Sequence, residues 1–341
     1  MQEPFPALTH LELTSDGPMS TLLPDALLGG SAPLLRTLTL ERISFPAFLK
    51  LLLTASNLVN LHLTGIPVTG YIPPQVMVTV LSTLTQLRSL SIDFESPGFL
   101  PDRTTQRPPL PTHAVLTTLT ILSFRGVSEY FEDLFTGFDA PHIRYATIDF
   151  FNQLVFDIPQ FTLFIGRTDQ FKSPYRVVVV FKRGFVCIRL GGFHLSILSR
   201  GLDWQVSSMA QICSQSSTLL SSVEELEIRE GVFPSDYPEI YEGEFRPDID
   251  DDIDSTQWLE LFRPFTAVKT LQVSSKMARL VVAALQGLTG EGATEVLPRL
   301  HSLFLRDIRS SGSRQEDIES FLTARQSSGQ SVAIHRLGRR L

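Results

Sequence analysis

Residues 236–254 have the side-chain types of a site for a charged ligand. The segment holds nine carboxylates and one arginine, a local charge of −8. Carboxylate oxygens are the ligands that hard cations such as Ca²⁺ prefer. The acidic run at 248–254 lacks the glycine and the terminal glutamate of a calcium-binding loop, which favours a solvated insertion. A contact for a basic partner and a metal site are the alternatives.

A glycine-rich segment at residues 287–294 has the glycine spacing of a phosphate-binding loop. Ala293 stands where the phosphate-binding lysine is needed, and the segment follows a helical pattern instead of a strand. We therefore interpret it as a loop that ends a helix.

The other reactive residue types are not spaced for catalysis. Seven histidines are scattered along the chain, and the motifs His-Glu-x-x-His and Gly-x-Ser-x-Gly are absent from the sequence. Cys187 and Cys213 have no metal-ligand companion at short spacing. We expect no enzymatic activity, no catalytic residue, no cofactor and no metal. An enzyme hidden in the irregular middle of the chain is the less favoured alternative.

The elements that would position any site follow a repeated phrase, Leu-x-x-Leu-x-Leu. Its clear copies start at residues 8, 35, 58, 87 and 119, at intervals of 27, 23, 29 and 32 residues. Looser copies start at residues 143, 223, 268 and 300. This period is typical of a leucine-rich repeat, with one strand and one crossover in each turn. The pattern predicts an α/β solenoid, or horseshoe, with parallel strands on the concave face and helices on the convex face.

Segments with helical spacing lie between the strand phrases. They fall at residues 45–56, 73–84, 129–137, 158–167, 203–220, 255–263, 276–286 and 313–326. In five repeats, the turn position that holds an asparagine in many leucine-rich repeats is apolar. It is occupied by Ile43, Ile66, Val127, Phe151 and Ile308. We predict turns held by apolar packing and a single domain over residues 1–341.

Three segments interrupt this regularity. Residues 96–113 contain five prolines and no periodicity, which predicts a long loop. Residues 175–190 read as two strands around a turn, so we expect one repeat strand with an antiparallel partner. The acidic insertion at 236–254 is the third.

The third and fifth residues of each phrase must point away from the buried leucines, because side chains alternate along a strand. These positions nominate a protein or peptide contact on the concave face, with an ordinary solvated surface as the alternative. The candidate binding residues are His10, Glu12, Asn60, His62, Tyr145, Thr147, Glu225, Glu227, Gln272 and Phe304. Large side chains such as Tyr145 and Phe304 would supply most of the binding energy.

Charge and hydropathy exclude other partners. None of the third- and fifth-position residues is lysine or arginine. The net charge of the chain is −7, and because residues 236–254 carry −8, the rest of the chain has a charge of about +1. We therefore expect no nucleic acid and no membrane partner. The sequence lacks a secretion signal and an apolar run of about 20 residues. An intracellular location, cytoplasmic or nuclear, is expected.

Five phrases are more specific than the bare repeat. They are LPDALLGGSAP at 23–33, GVSEYFEDL at 126–134, FFNQLVFDIPQ at 150–160, FIGRT at 164–168 and the ending at 321–337. These phrases resemble those of a large fungal family of F-box/leucine-rich-repeat proteins. The resemblance implies a substrate receptor whose F-box docks a Skp-type adaptor of a cullin ubiquitin ligase, while the repeats hold the substrate. The first phrase begins at Leu8, so we expect no F-box in this chain and adaptor binding only through upstream sequence. The alternative is a free-standing scaffold or decoy.

Overall fold

The structure is a computed structural model. It describes residues 5–15, 27–44, 49–67, 70–95, 113–199, 201–231, 255–286, 296–306 and 331–337, together with residues 321, 323, 325–327 and 329. Two compact units are present. Unit 1 comprises Met1–Gln153 and Asp157–Lys172, and unit 2 comprises Leu154–Phe156 and Ser173–Leu341. The single domain expected from the sequence stays a prediction.

Unit 1 alternates strands with helices. Its elements are β1 (His10–Thr14), β2 (Thr37–Glu41), α1 (Leu49–Thr54), β3 (Asn60–Ile66), α2 (Pro74–Thr83), β4 (Ser89–Phe94), β5 (Ala114–Val115), β6 (Ile121–Gly126), α3 (Ser128–Phe135), β7 (Phe138–Asp139), β8 (Tyr145–Phe150) and α4 (Pro159–Arg167). The strands β1, β2, β3, β4, β6 and β8 pair in that order and all run parallel. The two short strands β5 and β7 pair with each other. The predicted parallel α/β arrangement is confirmed.

The repeated leucines form the core of unit 1 because strand alternation places them all on one side of the sheet. Leu38, Leu61 and Leu90 are fully buried and pair in register from strand to strand. The leading leucines Leu35 and Leu58 are equally buried just before their strands. Each strand therefore gives its apolar side to one continuous core, and its other side is left for polar residues.

The turn position is buried and apolar in four of the five repeats for which the sequence predicts it. Ile43, Ile66, Val127 and Phe151 are exposed by 5–7%. Ile308 lies outside the described residues. Packing of these side chains replaces the asparagine hydrogen bonds found in regular leucine-rich repeats.

The helices of unit 1 pack through phenylalanines. Phe131 of α3 contacts Phe161 of α4 with ring centroids 5.6 Å apart, and Phe135 contacts Phe164 at 4.5 Å. Both contacts are edge-on, the geometry that aromatic rings prefer. Proline occupies the first turn of α2 and α4, where its missing N–H costs no helical hydrogen bond.

Unit 2 begins with an irregular region and then returns to strand-and-helix repeats. Its elements are β9 (Arg176–Lys182), β10 (Phe185–Leu190), β11 (Phe193–Leu198), α5 (Leu202–Gln215), α6 (Ser217–Leu220), β12 (Glu225–Glu230), α7 (Ser255–Phe262), β13 (Thr270–Ser274), α8 (Ser275–Gln286), β14 (Ser302–Arg306) and β15 (Ala333–Leu337). The sheet order is β11-β10-β9-β12-β13-β14-β15. Strand β9 is parallel to β12, and β10 is antiparallel to both β9 and β11.

The third strand of the irregular region, β11, was not predicted from the sequence. Only Gly191 and Gly192 separate the end of β10 from the segment FHLSIL of β11. With so short a turn, the two strands look like one continuous apolar stretch in the sequence. Gln205 of α5 is fully buried and holds the end of this region, donating hydrogen bonds to the carbonyls of Lys182 and Ser199 at 2.9 and 2.8 Å. Two carbonyls that leave the strand ladder are thereby satisfied.

Candidate functional site: the strand faces of the two units

The candidate site of each unit is its strand face, which we define as the side of the sheet opposite the buried leucines. In unit 1 the parallel register aligns the third-position residues in one row and the fifth-position residues in a second. The first row is His10, Thr37, Asn60, Ser89, Ile121 and Tyr145. The second is Glu12, Thr39, His62, Ser91, Ser123 and Thr147. The six unit 1 candidates therefore share one surface.

The first row of unit 1 ends in two exposed apolar side chains on neighbouring strands. Ile121 is 45% exposed and pairs in register with Tyr145, which is 62% exposed. Exposed apolar side chains that adjoin each other can bury their area against a partner, whereas isolated ones are ordinary features of a surface. This pair is the most apolar point of the two rows.

Elsewhere the rows are polar and partly ordered. The amide of Asn60 donates a hydrogen bond to the hydroxyl of Thr37 at 3.3 Å. His62 is half-buried in the second row, and burial lowers the pKa of its imidazole. A partner that reaches this row would therefore meet a neutral imidazole at neutral pH, able both to donate and to accept a hydrogen bond.

A third row of unit 1 carries charges at the ends of three strands. Asp93, Arg125 and Asp149 are in register on β4, β6 and β8. The nearest nitrogen of Arg125 lies 3.8 Å from the Asp93 carboxylate. Burial raises the pKa of Asp93 to about 6, with the Arg125 charge opposing the rise and the Asp149 charge adding to it. One arginine thus sits between two carboxylates.

In unit 2 the other four candidates also fall into rows. Glu225, Thr270, Ser302 and Ala333 form the first, and Glu227, Gln272, Phe304 and His335 form the second. The ring of Phe304 stacks on the imidazole of His335 at 4.4 Å. Glu225 accepts a hydrogen bond from the hydroxyl of Tyr175 at 3.1 Å.

The sequence predicts that Glu227 faces solvent, but this prediction is wrong. The Glu227 side chain is only 5% exposed and lies beneath arginines. It accepts a hydrogen bond from Arg176, and Arg306 and Arg229 lie 3.4 and 3.9 Å from its other oxygen. Arg306 also donates to Gln272 at 3.0 Å. The carboxylate is thus the hub of an ion-pair network, and the side chains presented to a partner are the arginines.

The sequence reasoning missed these basic residues because it considered only the third and fifth positions of each phrase. Arg125, Arg229 and Arg306 occupy the seventh position, still on the strand face. Arg176 belongs to the irregular region. Extending the alternation by one more period of two residues, to the seventh position, would have found the first three.

No protein-family model matches the chain, and no curated protein matches it. Among solved structures, the chain is similar to the leucine-rich repeat-containing protein LegL7 from Legionella pneumophila. The match covers 94% of this chain and 96% of that chain, at 11% sequence identity and a TM-score of 0.33.

Sites of other kinds are few in the part of the chain that the structure describes. No group of three or more His, Cys, Asp or Glu side chains there could hold a metal ion. Cys187 and Cys213 are buried and are not joined in a disulfide, and burial raises the pKa of the Cys213 thiol well above its usual value. None of the described helices is long and apolar enough to cross a bilayer.

Several predicted features lie partly or wholly outside the described residues. They include the proline-rich loop at 96–113, of which only His113 is described, the acidic insertion at 236–254, the glycine-rich segment at 287–294 and most of the helix at 313–326. The interpretations given for them from the sequence stay predictions.

Proposed function

We propose that this chain is a protein-binding leucine-rich-repeat module that contacts its partner through the strand faces. The observation that carries the proposal is the in-register pair Ile121 and Tyr145, two exposed apolar side chains at the end of an otherwise polar row. A few large side chains within a polar surround supply most of the energy of a typical protein interface. The proposed role involves no catalytic step.

The test is affinity capture with variants of the pair. The double variant Ile121→Ser/Tyr145→Ser should lose partners that the original chain retains, because it removes the apolar anchor while leaving the buried leucines intact. The matched control is Leu163→Ser on α4, another large apolar side chain of unit 1, which is 49% exposed. Equal capture by the original chain, the double variant and the control would contradict binding through this pair.

At a finer level, we propose that the module is the substrate-recognition arm of a Skp-cullin-F-box ubiquitin ligase. The support is the sequence resemblance at residues 126–134 and 150–160, which contribute α3, the end of β8 and the segment leading to α4. The bound protein would be the substrate, and the F-box would lie upstream of the repeats. The alternative is a free-standing scaffold or decoy that binds partners without a ligase.

A pull-down with a Skp-type adaptor separates these two roles. The chain as given and a chain extended by any upstream coding sequence are compared for adaptor binding. Adaptor retained by the extended chain alone supports the ligase role. Adaptor bound by neither chain, while strand-face partners are still captured, supports the scaffold. The horseshoe curvature predicted from the repeats also belongs to this proposal, and small-angle X-ray scattering would test it.

A further inference from the structure

The irregular strands of unit 2 assemble basic side chains on the strand face. We define the cationic cluster as Lys182 of β9, Arg189 of β10, His194 of β11 and Arg229 of β12. Arg189 and His194 are directly opposite each other in the antiparallel pair. Arg229 reaches the same area across the valines of β9, since Arg229 pairs with Val180 and Arg189 with Val178.

A glycine makes room for the lysine of the cluster. A Cβ atom at Gly231 would lie 2.4 Å from the Cε atom of Lys182, so the lysine side chain occupies the space above the glycine. The Nζ atom of Lys182 lies 4.9 Å from the centre of the Phe185 ring, within range of a cation–π interaction. Burial is the main cause that lowers the pKa of Lys182, and the charges of Arg189 and Arg229 lower it further.

The two arginines of the cluster are partly buried. The Nε atoms of Arg189 and Arg229 are buried, yet the Arg229 side chain as a whole is 42% exposed. A guanidinium group carries its N–H donors in a planar fork, the geometry suited to bidentate pairing with a carboxylate. Burial and the charges of Arg189 and Lys182 lower the pKa of the neighbouring His194 to about 4.

Among the residues that the structure describes, few carboxylates balance the charge of the cluster arginines. Among the described residues, Glu227 is the one carboxylate within 4 Å of Arg176, Arg229 and Arg306, and its close contacts are with Arg176 and Arg306. Arg189 has no carboxylate partner among the described residues. Partial burial lowers the local dielectric, so the positive charges of the cationic cluster repel one another more strongly than they would in water. An anion that binds at the cluster would relieve this repulsion.

We propose that the cationic cluster is the docking point for an acidic segment of a protein partner, whose carboxylates pair with Arg189 and Arg229. The inference rests on the proposed protein-binding function and names the chemistry of the partner. The cluster spans four strands, or about 14 Å, which matches a short run of acidic residues. Glu225, on the strand face of the same strand as Arg229, would repel a phosphate backbone that extends beyond the cluster, which favours a short peptide over a nucleic acid.

The test uses fluorescein-labelled hexaglutamate and the full chain, with binding followed by fluorescence anisotropy at low salt. Each exposed ion pair is worth about 1.4- to 5-fold in affinity, so Arg189→Gln/Arg229→Gln should weaken binding by up to about 25-fold. Arg189→Lys/Arg229→Lys, which keeps the charge but loses the bidentate geometry, should recover only part of the affinity. The matched control Arg279→Gln, on the exposed side of α8, should change it less than about twofold. Hexaglutamine should not bind.

Several results would overturn the proposal. One is an equal loss of affinity in the Arg279→Gln chain, and another is tighter binding of single-stranded DNA than of hexaglutamate. A third is binding that appears only after residues 236–254 are replaced by a glycine-serine linker, because the chain's own carboxylates would then be the occupant. If circular dichroism shows that the double variant is unfolded, Arg229→Gln alone carries the test.

The proposed function fails separately, through the capture experiment on Ile121 and Tyr145 in unit 1. If the double variant of Ile121 and Tyr145 loses partners but the original chain does not bind hexaglutamate, the proposed function is supported and only the role of the cationic cluster is contradicted.

Discussion

Glu132 links two successive repeats of unit 1 through a buried carboxylate. Its two oxygens accept hydrogen bonds from the backbone N–H groups of Gln160 and Phe161, at 2.7 and 2.9 Å. These groups lie in the first turn of α4, where backbone N–H groups have no partner within the helix. Burial raises the pKa of Glu132 to about 7, although the two hydrogen bonds oppose the rise.

The raised pKa of Glu132 predicts a pH-dependent stability. Between pH 4.5 and about 7 the folded chain holds a proton on Glu132 that the unfolded chain has lost. The free energy of unfolding should therefore fall as the pH rises through this window. Glu132→Gln cannot titrate, so its urea midpoint should fall less between pH 4.5 and 7.5 than that of the original chain.

The exposed Glu95 provides the matched control for this measurement. Glu95→Gln should keep the full slope of stability against pH. Part of the slope should also survive in Glu132→Gln, because Asp93 has a pKa of about 6 in the same unit. An unchanged slope in Glu132→Gln would show that Glu132 is ionised throughout the folded state.

The alternation of buried and outward residues along β3 and β4 predicts two classes of substitution at the scale of the element. Leu61 and Leu90 are fully buried, and Leu61→Ala or Leu90→Ala should each cost about 2–5 kcal/mol by leaving a cavity. Asn60→Ala or Ser91→Ala, on the strand face, should each cost well under about 1 kcal/mol. Urea unfolding measures all four, and equal losses in the two classes would contradict the assigned faces.

Two glycines near the helices of unit 1 should respond to alanine in opposite directions. At Gly137 a Cβ atom would lie 2.5 Å from a methyl group of Val78, which is fully buried in α2 and cannot move aside freely. Gly137→Ala should therefore destabilise the chain by about 1–3 kcal/mol through overpacking.

Gly166 lies in α4 with nothing within 4 Å of the position of its Cβ atom. Gly166→Ala should stabilise the chain by about 0.5–1 kcal/mol, because alanine loses less conformational freedom than glycine in a helix. Thermal unfolding of the two variants compares them directly. A lower melting temperature for Gly166→Ala would show that the amino acid at this position has contacts beyond its own helix.

At the scale of the whole molecule, the acidic insertion should be dispensable for folding. Replacing residues 236–254 with a short glycine-serine linker changes the closure entropy of the connection between β12 and α7 only slightly. The replacement also removes a local charge of −8. We expect an unchanged circular dichroism spectrum and a melting temperature within a few degrees of the original. Loss of the folded state would mean that apolar residues of the insertion, such as Phe245 or Ile249, belong to a core.

The sequence alone was sufficient for the repeated strands and most helices. The leucine phrases at 35, 58 and 87 identify β2, β3 and β4 because strand period and burial depend only on local spacing. Residues 158–167 predict α4 to within one residue of its observed start. The third- and fifth-position candidates follow from the same count, and within each unit the parallel register brings them into rows.

Only the tertiary structure decided the charged sites. Arg176, Glu227 and Arg306 meet on three strands that are far apart in the chain, and Arg189 meets His194 only because β11 folds back onto β10. Local periodicity predicts which side of a strand a residue occupies, but the neighbour across the sheet depends on strand order and register. The polarity of the strand faces could therefore be read from the sequence, whereas the burial of Glu227 beneath arginines and the cationic cluster required the assembled sheet.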